Sequence, residues 1–260
     1  MISFFGNTKY HKRIKGIQMD AQFGEFQFAY SITEEIEDRI VFSNLKMGIP
    51  VRSSLREEAE GEYDQTYTGR VAAVFLQYKL PEYMIRSNAK EWEEMGEQEY
   101  YRFQIYPEDQ SPQHNYLCTI TEKDPRNKVF YCAPAFVKYS DYELLHGIRN
   151  VSEHSVFVNC GNLPKVEGNK KHNVCYQIYP QRVVTHLQTK ELEIMQGWHR
   201  VLGEGNEHAC YENVGEFVQT MWNCTEQSGS AFWKASEKEI LRSIGLSCAE
   251  RGIHLLLLRV

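Results

Sequence analysis

The stretch "RVAAVFLQYKLPEYM", residues 70–84, decides how the chain is read. Its apolar run over 71–76 has no alternation, which predicts a strand buried on both faces. The run ends in Gln77, Tyr78 and Lys79. Residues two apart on a strand share a side, so an amide and an ammonium point the same way. Burying either one unpaired costs several kcal/mol. Two readings stand side by side. The strand emerges into solvent with Lys79 as an edge charge, or a polar site is assembled at the end of a central strand.

Outward from this strand the chain divides into alternating elements. Phe28, Ile32, Ile36 and Ile40 recur every four residues and predict a first helix over 19–40. "GIPVRSSL" (48–55) and "YDQTYTG" (63–69) read as strands, the second leading by a hairpin into 71–79. After Pro81, residues 82–98 read as a polar helix, 100–107 as a strand, 113–121 as a short helix and 128–136 as a buried strand. In the second half "SVFVNC" (155–160) and "NVCYQIYP" (173–180) read as strands, and segments near 188–202, 211–224 and 236–249 as helices. "GIHLLLLRV" (252–260) reads as a final apolar strand or a buried tail. No Gly/Pro/Ser linker separates the halves. The expected class is α/β, a central mixed sheet flanked by helices over 1–140, with an α+β extension over 141–260 packed on it.

An apolar fraction of 42% with 16 Tyr and 13 Phe predicts a packed core rather than a disordered chain. No apolar run approaches the roughly 18 residues of a membrane span, and the first charges follow the apolar residues, the reverse of a secretory signal. Seven cysteines at irregular spacing fit reduced thiols better than a disulfide framework. A cytoplasmic protein without membrane contact is the expectation. The formal net charge of −6 argues against a broadly basic surface. It leaves room for a local basic groove, for which Lys9, Lys12, Arg13 and Lys15 are candidates.

Gln-x-Lys occurs twice, at Gln77–Lys79 and Gln188–Lys190, and spacing alone is a weak signal. The second copy precedes an expected helix, where residues two apart diverge, and serves as a decoy. The first has a buried strand behind it and a carboxylate, Asp64, one hairpin upstream. Phosphodiester cleavage commonly uses a divalent cation to activate water and stabilise the leaving oxygen. Mg²⁺ prefers oxygen ligands, which Asp64, the Gln77 amide and the Tyr78 backbone carbonyl offer. Lys79 could orient or deprotonate the attacking water, or neutralise charge in the transition state. Taken singly, Asp64 also suits a turn residue capping a hairpin.

"EGEYDQTYTGRVAAVFLQYK" resembles the core motif of the PD-(D/E)xK, or restriction-endonuclease-like, nuclease superfamily, and so does the element order of residues 20–136. The resemblance implies Asp64, Gln77 and Lys79 as catalytic residues, with Mg²⁺ or Mn²⁺ held by Asp64, Gln77 and the Tyr78 carbonyl. It also implies a further acid on the first helix. Glu25 is that residue, three and seven positions before Phe28 and Ile32, while Glu34 and Glu35 rank behind it. Two departures stand out: Tyr63 precedes Asp64 where the family has Pro, and Gln77 replaces an acid. Gln-x-Lys members of the superfamily occur among restriction and phage-defence nucleases.

The expected function is therefore a metal-dependent endonuclease acting on DNA in prokaryotic defence, alone, as a homo-oligomer or with a protein partner. The metal chemistry does not separate DNA from RNA. The alternative is a non-catalytic nucleic-acid-binding or assembly subunit on a degenerated nuclease fold. Gln113 and His114, at the start of the helix bordering the site, are either phosphate contacts or an exposed helix start. Arg86, Asn88 and Lys90 are either backbone contacts or a solvated face.

Overall fold

The computed structural model describes residues 19–42, 46–47, 70–179, 182–185, 194–198, 201, 210–222 and 237–259. Strand β3 (Val71–Tyr78) is buried at every position. Its odd-numbered apolar residues Val71, Ala73 and Phe75 pack with Leu117 and Ile120 of α2 (Gln113–Lys123), Phe217 of α4 (Val214–Trp222) and Ile244 of α5 (Glu237–Glu250). The alternate residues Ala72, Val74, Leu76 and Tyr78 meet Phe28, Ile32 and Ile36 of α1 (Glu25–Phe42) and Tyr142 of α3 (Tyr139–Gly147). Each face of the strand thus has its own apolar partner, which is why it shows no polar alternation.

β3 lies inside a six-stranded sheet of order β10-β7-β6-β3-β11-β2, made with β6 (Lys128–Pro134), β7 (Ser155–Asn159), β10 (Ile194–Gln196), β11 (His254–Arg259) and β2 (Lys46–Met47). It runs parallel to β6, with Val74 opposite Lys128 and Tyr78 opposite Cys132. A parallel pair needs a crossover rather than a tight turn, and α2 lies within it. On its other edge β3 pairs antiparallel with β11, from His254 opposite Leu76 to Arg259 opposite Val71. Leu255 and Leu257 of β11 join one core cluster and Leu256 and Leu258 the other. The antiparallel neighbour of β3 is therefore β11. Residues 48–55 and 63–69, Asp64 among them, lie outside the described residues.

The second sheet is antiparallel throughout, in the order β1-β4-β5-β8-β9: β1 (Met19–Asp20), β4 (Glu82–Met84), β5 (Tyr100–Ile105), β8 (His172–Gln177) and β9 (Arg182–Thr185). Phe103 and Ile105 of β5 and Val174 and Tyr176 of β8 close over the α2 side of the first sheet. Residues after 141 supply strands to both sheets. The architecture is α/β with one mixed and one antiparallel sheet.

Two expectations about elements are corrected. The segment 82–98 is not a helix but strand β4 followed by turns. Glu91 is 1% exposed and accepts hydrogen bonds from Tyr100 Oη (2.9 Å) and Asn173 Nδ2 (2.6 Å), which tie the segment to the sheet. Gly96 (φ 72°) and Glu97 (φ 57°) then turn left-handed, which a continuing helix does not permit. Residues 194–196, placed in a helix by their sequence, form β10 beside β7. Among the described residues no helix is long and apolar enough to cross a membrane.

Candidate functional site at the end of the central strand

At the C-terminal end of β3 the side chain of Gln77 is 2% exposed, on the face packed against α2. Gln113, the first residue of α2, stands opposite it. Lys79 Nζ donates to Gln113 Oε1 at 3.0 Å. Gln113 Nε2 donates to Gln77 Oε1 at 2.5 Å and also to the backbone carbonyl of Arg251. Gln77 Nε2 closes the run on the carbonyl of Tyr78 at 3.0 Å. The chemistry at the two ends fixes the amide orientations. An ammonium can only donate and a carbonyl can only accept, so Gln113 must turn oxygen to Lys79 and nitrogen to Arg251. The two polar side chains of the opening stretch therefore do not emerge into solvent; a third residue joins them.

Burial pulls the Lys79 ammonium below the ordinary lysine range, and the charge of Glu25 partly opposes that shift. Its Nζ lies 5.7 Å from the centroid of the Tyr131 ring. Glu25, in the first turn of α1, keeps solvent access by surface area, yet the protein mass around its carboxylate raises its pKa. Lys79 pulls that pKa back down, so the two charges sense each other without forming a direct ion pair. α1 covers the Tyr78 face of the sheet, opposite the face that carries Gln77.

His114 is 2% exposed, so it is not an exposed helix start. Its Nε2 lies 2.9 Å from the Pro164 carbonyl and its Nδ1 2.9 Å from Tyr131 Oη. A carbonyl only accepts, so Nε2 carries the proton and Tyr131 donates to Nδ1. Burial lowers the pKa of this ring. Gly252 approaches the amides from the turn before β11. Its φ of +66° is one that glycine adopts freely. A Cβ there would meet Gln113 Nε2 at 3.5 Å and Gln77 Oε1 at 3.8 Å, ordinary contacts. Gly252→Ala is thus expected to cost about 1–2 kcal/mol through backbone strain alone, read as a lower midpoint in urea denaturation. A neutral result would mean that the turn relaxes out of the left-handed region.

The ligand set expected for a divalent ion is only partly present. Gln77 Oε1 accepts from Gln113 and the Tyr78 carbonyl accepts from Gln77, so both oxygens face amide hydrogens. Glu25 is one carboxylate at the strand end. Among the described residues no group of three or more His, Cys, Asp or Glu could hold a metal ion. These donors do not make an ion site by themselves, and Asp64 lies outside the described residues. Glu34 and Glu35 are elsewhere: Glu34 is ion-paired with Arg149, and Glu35 is buried against the backbone of Val151 and Ser152. Arg86, Asn88 and Lys90 are exposed in the turns after β4, and Gln188 and Lys190 lie outside the described residues.

Next to Gln113 a cleft of about 680 Å³ opens between α2 and α5, lined by Tyr116, Ser247 and Arg251 among others. The Arg251 guanidinium lies 4.5 Å over the Tyr116 ring. Arg251 and Gly252 carry no local signal that sequence reading could have used, since Arg251 follows Gln113 by 138 residues. Chemically, the arrangement offers a half-buried ammonium with hydrogens to spare, held by a neutral amide and close to one carboxylate. Set against protein-family models, curated proteins and solved structures, the chain matches none of them.

Proposed function

We propose that the protein is a metal-dependent endonuclease of the PD-(D/E)xK type, acting on DNA by preference and serving in prokaryotic defence against phage. One observation carries this reading. A half-buried lysine sits at the end of a central strand, joined through one amide to a buried Gln two residues earlier, with the first helix's carboxylate in electrostatic reach. The β3–α2–β6 crossover, with α1 on the opposite face, supports reading this part of the fold as a restriction-endonuclease-like core. Lys79 then orients the attacking water or stabilises negative charge on the phosphate. Mg²⁺ or Mn²⁺, held by Asp64 and Glu25 with Gln77 and the Tyr78 carbonyl, would supply Lewis acidity. The test is incubation of the purified protein with plasmid, linear DNA and RNA, with Mg²⁺, with Mn²⁺ and with EDTA. Absence of cation-dependent cleavage of all three would sink it.

A second reading, a non-catalytic nucleic-acid-binding or assembly subunit, is favoured by the same amides. Both expected ligand oxygens already have hydrogen-bond donors. Gln77→Glu separates the two. The substitution removes the N–H that meets the Tyr78 carbonyl and sets oxygen against oxygen, at a cost of about 1–3 kcal/mol without metal. In a nuclease the new carboxylate binds the ion, so Mg²⁺ raises the melting temperature of the variant more than that of the wild type. In a subunit the loss persists whatever the Mg²⁺ concentration.

A further inference from the structure

We propose that Gln113 is the positioning residue of this site: its single carboxamide sets the place of the Lys79 ammonium and of the Gln77 amide and anchors both to the Arg251 carbonyl. As a statement about turnover this rests on the nuclease reading; as a statement about Lys79 it does not.

Three observations converge on it. The first is connectivity. Gln113 accepts from Lys79 and donates to Gln77 and to Arg251, so one side chain ties β3, α2 and the turn before β11 together. The second is rigidity. The two residues that follow it in the first turn of α2 are fixed independently. His114 is held between Tyr131 Oη and the Pro164 carbonyl. Asn115 holds Val166 from both sides, donating to its carbonyl at 3.1 Å and accepting from its N–H at 2.8 Å. A side chain placed on such a turn can hold its partners to a fraction of an ångström, the precision that a reacting group demands. The third is charge. A carboxylate at position 113 would pair with Lys79 and consume its charge, and would also face the oxygens of Gln77 and Arg251. An amide holds the ammonium and leaves its charge for a phosphate. The remaining groups around Lys79 offer no substitute hold. Glu25 acts at a distance, Tyr131 presents a ring face, and His114 has both nitrogens engaged.

The experiment compares wild type with Gln113→Met, of similar length but unable to hydrogen-bond, and Gln113→Glu, which keeps an acceptor for Lys79. Each is pulse-labelled with an amine-acylating reagent at one pH and the modified peptides are quantified by mass spectrometry. Cleavage is followed in parallel. Lys79 is expected to label several-fold faster in Gln113→Met and no faster than wild type in Gln113→Glu. Lys128, half-buried with its Nζ on the Val201 carbonyl, reports general loosening and is expected to stay unchanged. For cleavage, kcat of Gln113→Met falls on the order of 10- to 100-fold, since small misplacement of a reacting group costs that much, while KM stays within about threefold. Unchanged Lys79 labelling in Gln113→Met, or a parallel rise at Lys128, would overturn the assignment. A wild type that cleaves nothing, with Lys79 labelling still set by residue 113, would retire the nuclease and keep the clamp. Cleavage that needs Lys79 but is indifferent to Gln113→Met would do the reverse.

Discussion

On the nuclease reading proposed above, Lys79→Ala is expected to reduce cation-dependent cleavage by about 10²- to 10⁴-fold, the range set by losing a positioned proton-transfer or charge-stabilising group. The loss should appear in kcat rather than KM, because the ammonium acts where charge develops. Folding should be little affected. The Lys79 side chain is half-buried and makes one hydrogen bond, to Gln113, so truncation costs about 1 kcal/mol against a fold held by two large apolar clusters. Lys79→Arg should not rescue, since a planar guanidinium cannot occupy the place of a compact ammonium between Gln113 and the Tyr131 ring. Initial rates of plasmid nicking, with circular dichroism to confirm folding, make the measurement. Lys190→Ala is the matched control and should leave the rate unchanged. Activity kept within a few-fold in Lys79→Ala, or lost in Lys190→Ala, would mean the chemistry lies elsewhere.

Glu35→Ala is expected to be the most damaging single change to stability among the acidic residues of α1. Its side chain is 2% exposed. Its two oxygens accept from the backbone N–H groups of Val151 (2.5 Å) and Ser152 (2.8 Å), at the start of a one-turn 3₁₀ helix over Ser152–His154. Each is a charge-assisted bond, and the acceptor also lies at the positive end of the helix turn. Truncation strands two buried donors at once, which costs about 3–5 kcal/mol. Glu35→Gln keeps one acceptor but turns an NH₂ toward the other N–H, so it should fall between wild type and Ala. Urea denaturation of the three proteins checks the order. If Glu35→Ala unfolds at the wild-type midpoint, water has replaced the carboxylate and the linkage from α1 to this turn is dispensable.

Local pattern revealed the elements whose burial repeats within one turn or one strand. The stripe Phe28, Ile32, Ile36 marked α1, the unbroken run at 71–76 marked a strand buried on both faces, and the run at 255–258 marked a strand or a buried tail, which the structure shows as β11. What pattern could not reveal was pairing between distant strands. Nothing near residue 77 announces that residues 254–259 will lie beside β3. The helix expected over 82–98 failed for a related reason. Glu91 looks solvated in a charged segment, but its partners Tyr100 and Asn173 lie in other strands. At the site, Gln77 and Lys79 stood out by being polar where apolarity was expected. Gln113 came into view only through its place at a helix start, and the tie from Arg251 was invisible.

The pairing of β3 with β11 has a consequence in time as well as space. On a ribosome β3 emerges about 180 residues before the strand that covers its edge. At translation rates of about 5–20 residues per second, that leaves an interval of roughly 10–40 s. During it, a strand apolar on both faces has unpaired backbone along one side, the geometry that invites pairing with another chain. The nascent protein therefore passes through a sticky stage that ends only when residues 254–259 arrive. Its yield in a cell should depend on holdase chaperones and on the pace at which the stretch between β3 and β11 is translated.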